Sequence, residues 1–140
     1  MLPKFRTWDK RENTMRDVAV LHFNKGGKVN YIEYWKTPSE LKSYHVRNLF
    51  LMQSTGLKDK NGVEIFEGDL VKITVSNGFD HLEDALSIVK EAEYHSGLIC
   101  ELLSNTLEYR IFDEEATGYQ YEIVGNIYKN PELLEQSNEN

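Results

Sequence analysis

The chain is short of the features that usually betray a protein's chemistry. It has one cysteine, Cys100, in 140 residues. A single thiol closes no intrachain disulfide and supplies no multi-cysteine zinc site. There are three prolines and no Pro-rich or Gly/Ser-rich linker, so composition alone gives no reason to divide the chain. No apolar run approaches the ~20 residues that a membrane-crossing helix needs. Met1 to Lys10 carries Lys4, Arg6, Asp9 and Lys10 where a signal peptide would carry an apolar core, so the expectation is a cytoplasmic chain with no membrane contact. No G-x-S-x-G, Walker A or dinucleotide fingerprint occurs.

What is present is a foldable, aromatic chain. The hydrophobic fraction is 40% and the aromatic fraction 11%, too high for a disordered segment. At this length a single domain spanning 1–140 can bury a real core. Charge is uneven: residues 1–60 hold 12 Lys/Arg against 6 Asp/Glu, while residues 61–140 hold 4 against 17. The simplest reading is weak attraction across one surface, screened at physiological salt. Two further readings are that the basic half of one copy meets the acidic half of another, and that the basic half binds nucleic acid.

Strand signals dominate. Asp17 to Phe23 and Val29 to Trp35 are β-rich runs joined by Asn24-Lys25-Gly26-Gly27, which predicts a hairpin. Both runs are apolar on both faces, so the hairpin is expected to be covered twice or to pack on a partner. Thr37-Pro38-Ser39-Glu40 has the pattern of a capping box and predicts a short helix. Asn61-Gly62 predicts a tight turn with two positive φ values. Leu70 to Val75 predicts a strand with Val71, Ile73 and Val75 on one face and Lys72 and Thr74 on the other. Phe79 to Tyr94 fits helix and strand alike. Leu98 to Leu103, Thr106 to Phe112 and Tyr119 to Tyr128 follow as strands, with a bulge or bend at Gly125. Asn130-Pro131 opens a short terminal helix. The spacing of strands and turns predicts a mainly β fold (α+β at most). It would be a small antiparallel SH3-like or bent barrel with an added N-terminal β-hairpin and short helices. Within it, residues 1–55 form a hairpin region and residues 56–135 a barrel-like unit, with Val71, Ile73, Val75, Ile99, Ile111, Ile123 and Ile127 in the core.

The reactive side chains assemble into no catalytic pattern. Glu64, Glu67 and Asp69 are close in sequence, but on a strand–turn–strand they diverge, and Asp69 is better read as bonding turn amides. Asp113-Glu114-Glu115 lacks a Ca²⁺-loop pattern. His22, His45, His81 and His95 share no ligand spacing, so no metal is expected. His22 fits strand packing. Cys100, between Ile99 and Glu101, reads as a buried, inert thiol. Phe5, Trp8, Tyr31, Tyr34 and Trp35 interleave with Lys4, Arg6, Lys28 and Lys36, which suits either a β core with a snorkelling edge or a stacking platform for single-stranded nucleic acid. In the second reading the contacts are Lys4, Arg6, Trp8, Lys28, Trp35 and Lys36, and the acidic half opposes phosphate.

Three segments together resemble one family. They are Lys4-Phe5-Arg6-Thr7-Trp8-Asp9 with Met15; Leu51-Met52-Gln53-Ser54-Thr55-Gly56-Leu57 running through Asn61-Gly62 and Ile65 to Glu67-Gly68-Asp69-Leu70-Val71; and Ile123-Val124-Gly125-Asn126-Ile127-Tyr128 with Asn130-Pro131-Glu132-Leu133-Leu134. They resemble the YopX family, proteins carried by phages and prophages of mainly Gram-positive bacteria. The resemblance implies a mostly β fold, a phage or prophage origin, no established activity and no catalytic residues to transfer. It also implies a strand over Ser87 to Tyr94, paired with Leu98 to Leu103. Asp80-His81-Leu82-Glu83-Asp84 lengthens the family pattern, and Phe79 to Ala85 suits a short helical insertion. The functional expectation is an accessory protein that acts by binding, without catalysis or cofactor. Its partner would be a protein of host or phage, or a second copy; the alternative is a single-stranded nucleic-acid binder.

Overall fold

The computed structural model describes residues 4–45, 50–76, 81–93, 96–111 and 118–138. The chain is almost all strand and divides into two units, Met1–Gln53 and Ser54–Asn140. Phe79 and Asp80 of the expected insertion, Tyr94, His95 and the acidic run Asp113-Glu114-Glu115 lie outside the described residues.

In the first unit β1 (Phe5–Asp9), β2 (Thr14–Phe23), β3 (Val29–Thr37) and β4 (Glu40–His45) form an antiparallel meander. The start of β5 (Leu51–Lys58) pairs with the free side of β1, so the order is β4-β3-β2-β1-β5. The expected β2–β3 hairpin is present, as part of this larger sheet. The helix expected from Thr37 is not. Pro38 and Ser39 are the two residues of a turn that pairs Thr37 with Glu40, and Thr37 Oγ1 accepts from Ser39 N at 3.4 Å. A Thr-Pro-Ser sequence satisfies a turn as readily as a helix start, because Pro fixes the φ that both require. Pairing of β4 with Tyr31 to Thr37 of β3 then selects the strand.

In the second unit β7 (Asp69–Ser76), β8 (His81–Glu91), β9 (Leu98–Leu102), β10 (Glu108–Arg110) and β11 (Tyr119–Asn126) form a sheet in the order β10-β9-β8-β7-β11. The remainder of β5 pairs with β6 (Glu64–Phe66), and α1 (Glu132–Asn138) follows the Asn130-Pro131 start. His81 to Ala85 belongs to β8, so the helical insertion is absent over these residues and the strand reading holds. Val71, Ile73 and Val75 are buried together with Ile65, Val89, Cys100, Leu102, Tyr119 and Tyr121, while Lys72 is exposed. Ile99 is buried; Ile111, Ile123 and Ile127 are half-buried at the margin. The register of β11 on β7 shifts between Ile123 and Gly125, the bulge the glycine signals.

The barrel is not closed. Closure would require β10 to bond β11. Yet β10 has three residues, and the outer edge of β11 is occupied by the β5–β6 turn: Lys60 N donates to Tyr121 O at 2.9 Å and Ile123 N donates to Asp59 Oδ2 at 3.0 Å. A capped edge needs no further strand. The same turn is built twice. Asn24 and Asp59 each accept through Oδ1 from the amides two and four residues on, and each is followed three residues later by a glycine at positive φ, Gly27 at 82° and Gly62 at 80°. Asn61 is not at positive φ, so the tight two-residue turn expected there is replaced by this longer, side-chain-organised loop.

Candidate functional site: the outward face of the N-terminal sheet

Strand alternation, corrected at the bulge between Val18 and Val20, sorts β2, β3 and β4 into two faces. Val18 stands opposite Tyr34 and Leu21 opposite Ile32, while Val20 stands opposite Glu33 and His22 opposite Tyr31. Ala19 is the extra residue that lets Val18 and Val20 point to opposite sides. Pairing of β3 with β4 adds Tyr44 and Lys42 to the Ile32–Tyr34 side, and His45, Ser43 and Leu41 to the other.

The first face is a filled interior. Ile32, Tyr34 and Tyr44 are buried and packed by Val18, Leu21, Val29 and Leu51. The β1–β2 turn adds charge to it. The Arg11 guanidinium lies 3.7 Å from the Tyr44 ring centroid and that of Arg16 lies 5.2 Å from Tyr34. Between them the Asp9 carboxylate, 1% exposed, accepts from Arg11 N at 3.0 Å and lies 3.5 Å from Arg16 Nε. Arg16 also pairs with Glu12. Both guanidinium groups therefore fix the turn against the sheet, through contacts to the aromatic faces and to a buried anion.

The second face points outward and carries three rows. Across β2, β3 and β4 the first is His22–Tyr31–His45, with His22 stacked on Tyr31 at 3.9 Å and 14° and His45 tilted against it at 6.2 Å. The second is Val20–Glu33–Ser43, in which His22 Nε2 lies 3.0 Å from Glu33 Oε2. The third is Trp35–Leu41, with Asp17 level with Trp35 by the β2–β3 register. Trp35 is 43% exposed, Leu41 41% and Val20 36%, so three large apolar side chains share one solvent-facing sheet surface. Scattered apolar residues are ordinary on a surface; a contiguous group with a polar rim marks an interaction site.

The six residues expected to contact nucleic acid are not gathered. Lys28 and Lys36 stand at opposite ends of β3, eight residues and therefore about 26 Å apart at strand rise. Trp8 is 8% exposed, so its ring is not offered to solvent. Lys4 and Trp35 are exposed and Arg6 is half-buried; Arg6 stands opposite Asp17. Sequence reading missed Glu33, Leu41 and His45. The signal was available in the alternation of Val29 to Trp35, but reading 37–40 as a helix start hid the register that sets Leu41 beside Trp35.

Elsewhere the reactive groups are structural. Cys100 is buried, and burial pushes its thiol pKa up to about 12. Asp69 Oδ2 accepts from Phe66 N at 2.8 Å, a turn bond as expected. Ser54 Oγ bonds Glu64, tying β5 to β6. Lys60 and Lys90 are held above the usual lysine range by hydrogen bonds to Glu122 and Glu101 respectively. Among the described residues no group of three His, Cys, Asp or Glu side chains is placed to hold a metal ion, and no helix is long and apolar enough to cross a membrane.

Comparison with known proteins agrees with this fold. Protein EF1440 from Enterococcus faecalis, known from a crystal structure, is 28% identical, with a TM-score of 0.64 over 96% of this chain and 99% of that one. No curated protein matches the chain. The family model described as YopX protein matches residues 4–135, a span that takes in both units and the outward face, and the chain therefore belongs to the YopX family.

Proposed function

We propose that the protein is a non-enzymatic accessory protein that acts by binding another protein, and that the outward face of β2–β4 is its docking surface. One observation carries this reading: Trp35, Leu41 and Val20 stand exposed together on a sheet whose opposite face is already filled. Tryptophan on a flat, half-dry surface is the residue type that most often dominates a protein interface. Glu33, near the middle of this face, disfavours phosphate, which supports a protein over a nucleic-acid partner. A phage or prophage origin, implied by the family resemblance, would make the partner a host or phage protein.

The test is capture from cells that carry the gene, with the wild type and a Trp35→Ser, Leu41→Ser variant as paired baits. Both positions are exposed, so the substitutions leave stability within about 0.5 kcal/mol. The reading predicts a captured protein that the variant loses. Identical captures by the two baits would contradict it.

A further inference from the structure

The outward face has a charge pattern that specifies more than apolar contact. Its middle row is Val20–Glu33–Ser43. It is flanked on one side by the ring row His22–Tyr31–His45 and on the other by Trp35–Leu41. Successive rows on one strand face are about 6–7 Å apart, so the Glu33 carboxylate stands in a trough between two bulky walls. Its Oε2 is held by His22, it remains 31% exposed, and its Oε1 has no hydrogen-bond partner among the described residues. The Trp35 side chain makes no ring contact or hydrogen bond among the described residues. Two basic side chains of these strands belong to the other face: Arg16 lies over Tyr34, and Lys42 stands opposite Tyr34. Asp17, level with Trp35, adds a second exposed carboxylate at the edge of this face, where Arg6 of β1 stands opposite it.

We propose that this trough receives a basic side chain, Lys or Arg, from the protein partner, with the cation on Glu33 Oε1 and against the face of Trp35. This rests on the outward face being the docking surface. A cation entering the trough gains one carboxylate oxygen that His22 does not occupy and one aromatic face within the ~6 Å range of cation–π attraction. At 31% exposure the Glu33 side chain is partly shielded from water, which strengthens the pairing relative to an open surface. An acidic side chain would meet Glu33 and Asp17 with like charge. An apolar one would leave Glu33 Oε1 desolvated without a partner.

The experiment uses fluorescein-labelled nonapeptides in which three arginines, three glutamates or three leucines are spaced by glycine. Anisotropy is measured on the full chain as wild type, Glu33→Gln and Trp35→Ser, at low and physiological ionic strength, with circular dichroism to verify folding. The arginine peptide binds the wild type more tightly than the other two, and both substitutions weaken it about fivefold, as expected for one partly exposed ion pair and one cation–π contact. Equal affinity of wild type and Glu33→Gln for the arginine peptide would overturn the proposal, since attraction to the acidic second unit would then account for binding. So would no arginine binding at millimolar protein. A leucine or glutamate peptide held in a Trp35-dependent, Glu33-independent manner would overturn the basic-partner proposal while leaving the docking face intact. A Trp35→Ser chain that bound all three peptides like the wild type would remove both.

Discussion

Asp59 should be worth far more than its twin, Asn24. The two residues organise the same loop, but Asn24 is exposed and Asp59 is 5% exposed. Asn24 Oδ1 accepts from Gly26 N at 2.9 Å and Lys28 N at 3.1 Å; Asp59 Oδ1 accepts from Asn61 N and Val63 N, both at 2.9 Å. Only Asp59 has a third partner, Ile123 N, sixty-four residues away on β11. In Asn24→Ala both amides turn to water, and the loss is about 0.5–1 kcal/mol. In Asp59→Ala the two turn amides lose bonds to a carboxylate and Ile123 N is left part-buried without an acceptor, which costs about 1–3 kcal/mol by itself. Relief of the carboxylate's own burial offsets part of the sum. The net is about 2–4 kcal/mol, a large share of the ~5–15 kcal/mol that holds a domain together. Asp59→Asn should fall between, since one oxygen replaces two acceptors and its NH₂ must face a donor. Urea denaturation followed by circular dichroism on the three variants decides it. An Asp59→Ala loss no larger than that of Asn24→Ala would refute the idea that this turn clamps β11.

Three further outcomes follow from the geometry. In Gly125→Ala the added Cβ would fall on Asn130 Oδ1 and within 2.7 Å of its Cγ, breaking the bond from Asn126 N; the cost is about 1–3 kcal/mol, and adding Asn130→Ala should recover part of it in the same denaturation assay. Cys100 should resist iodoacetamide at pH 8 in the folded chain and react completely in urea, since burial holds its pKa near 12; alkylation of the native form, read by mass spectrometry, would contradict that placement. Light scattering coupled to size exclusion should give a multiple of 16.3 kDa if a second copy covers the outward face, and a 16.3 kDa species at every protein concentration would eliminate self-association.

Much of the fold was legible because two-residue alternation and Gly-containing turns are local signals. Val71, Ile73 and Val75 against Lys72, the Gly125 bulge and the Asn130-Pro131 helix start all depend on near neighbours in the chain. The failures share a different cause. Thr37-Pro38-Ser39-Glu40 satisfies turn and helix rules equally, and only pairing of β4 with β3 separates them. Phe5–Asp9 carries no alternation to mark it as a strand, because Thr7, Trp8 and Asp9 are all buried. Barrel closure depended on what covers the β11 edge, which Asp59 decides from far away in sequence. The docking face was half legible: Trp35 and Tyr31 stood out as aromatics. Which β2 side chains stand beside them turned on Ala19, whose bulge sends Val20 outward.

The most direct test of the docking face is photo-crosslinking in cells that carry the gene, with benzoylphenylalanine placed singly at 35, 41, 63 and 107. All four positions hold exposed large apolar side chains, two on the outward face of β2–β4 and two, Val63 and Leu107, in the second unit. The account predicts one adduct of common mass from positions 35 and 41 and none of that mass from 63 or 107. An adduct formed from 63 or 107 while 35 and 41 stay silent would contradict it.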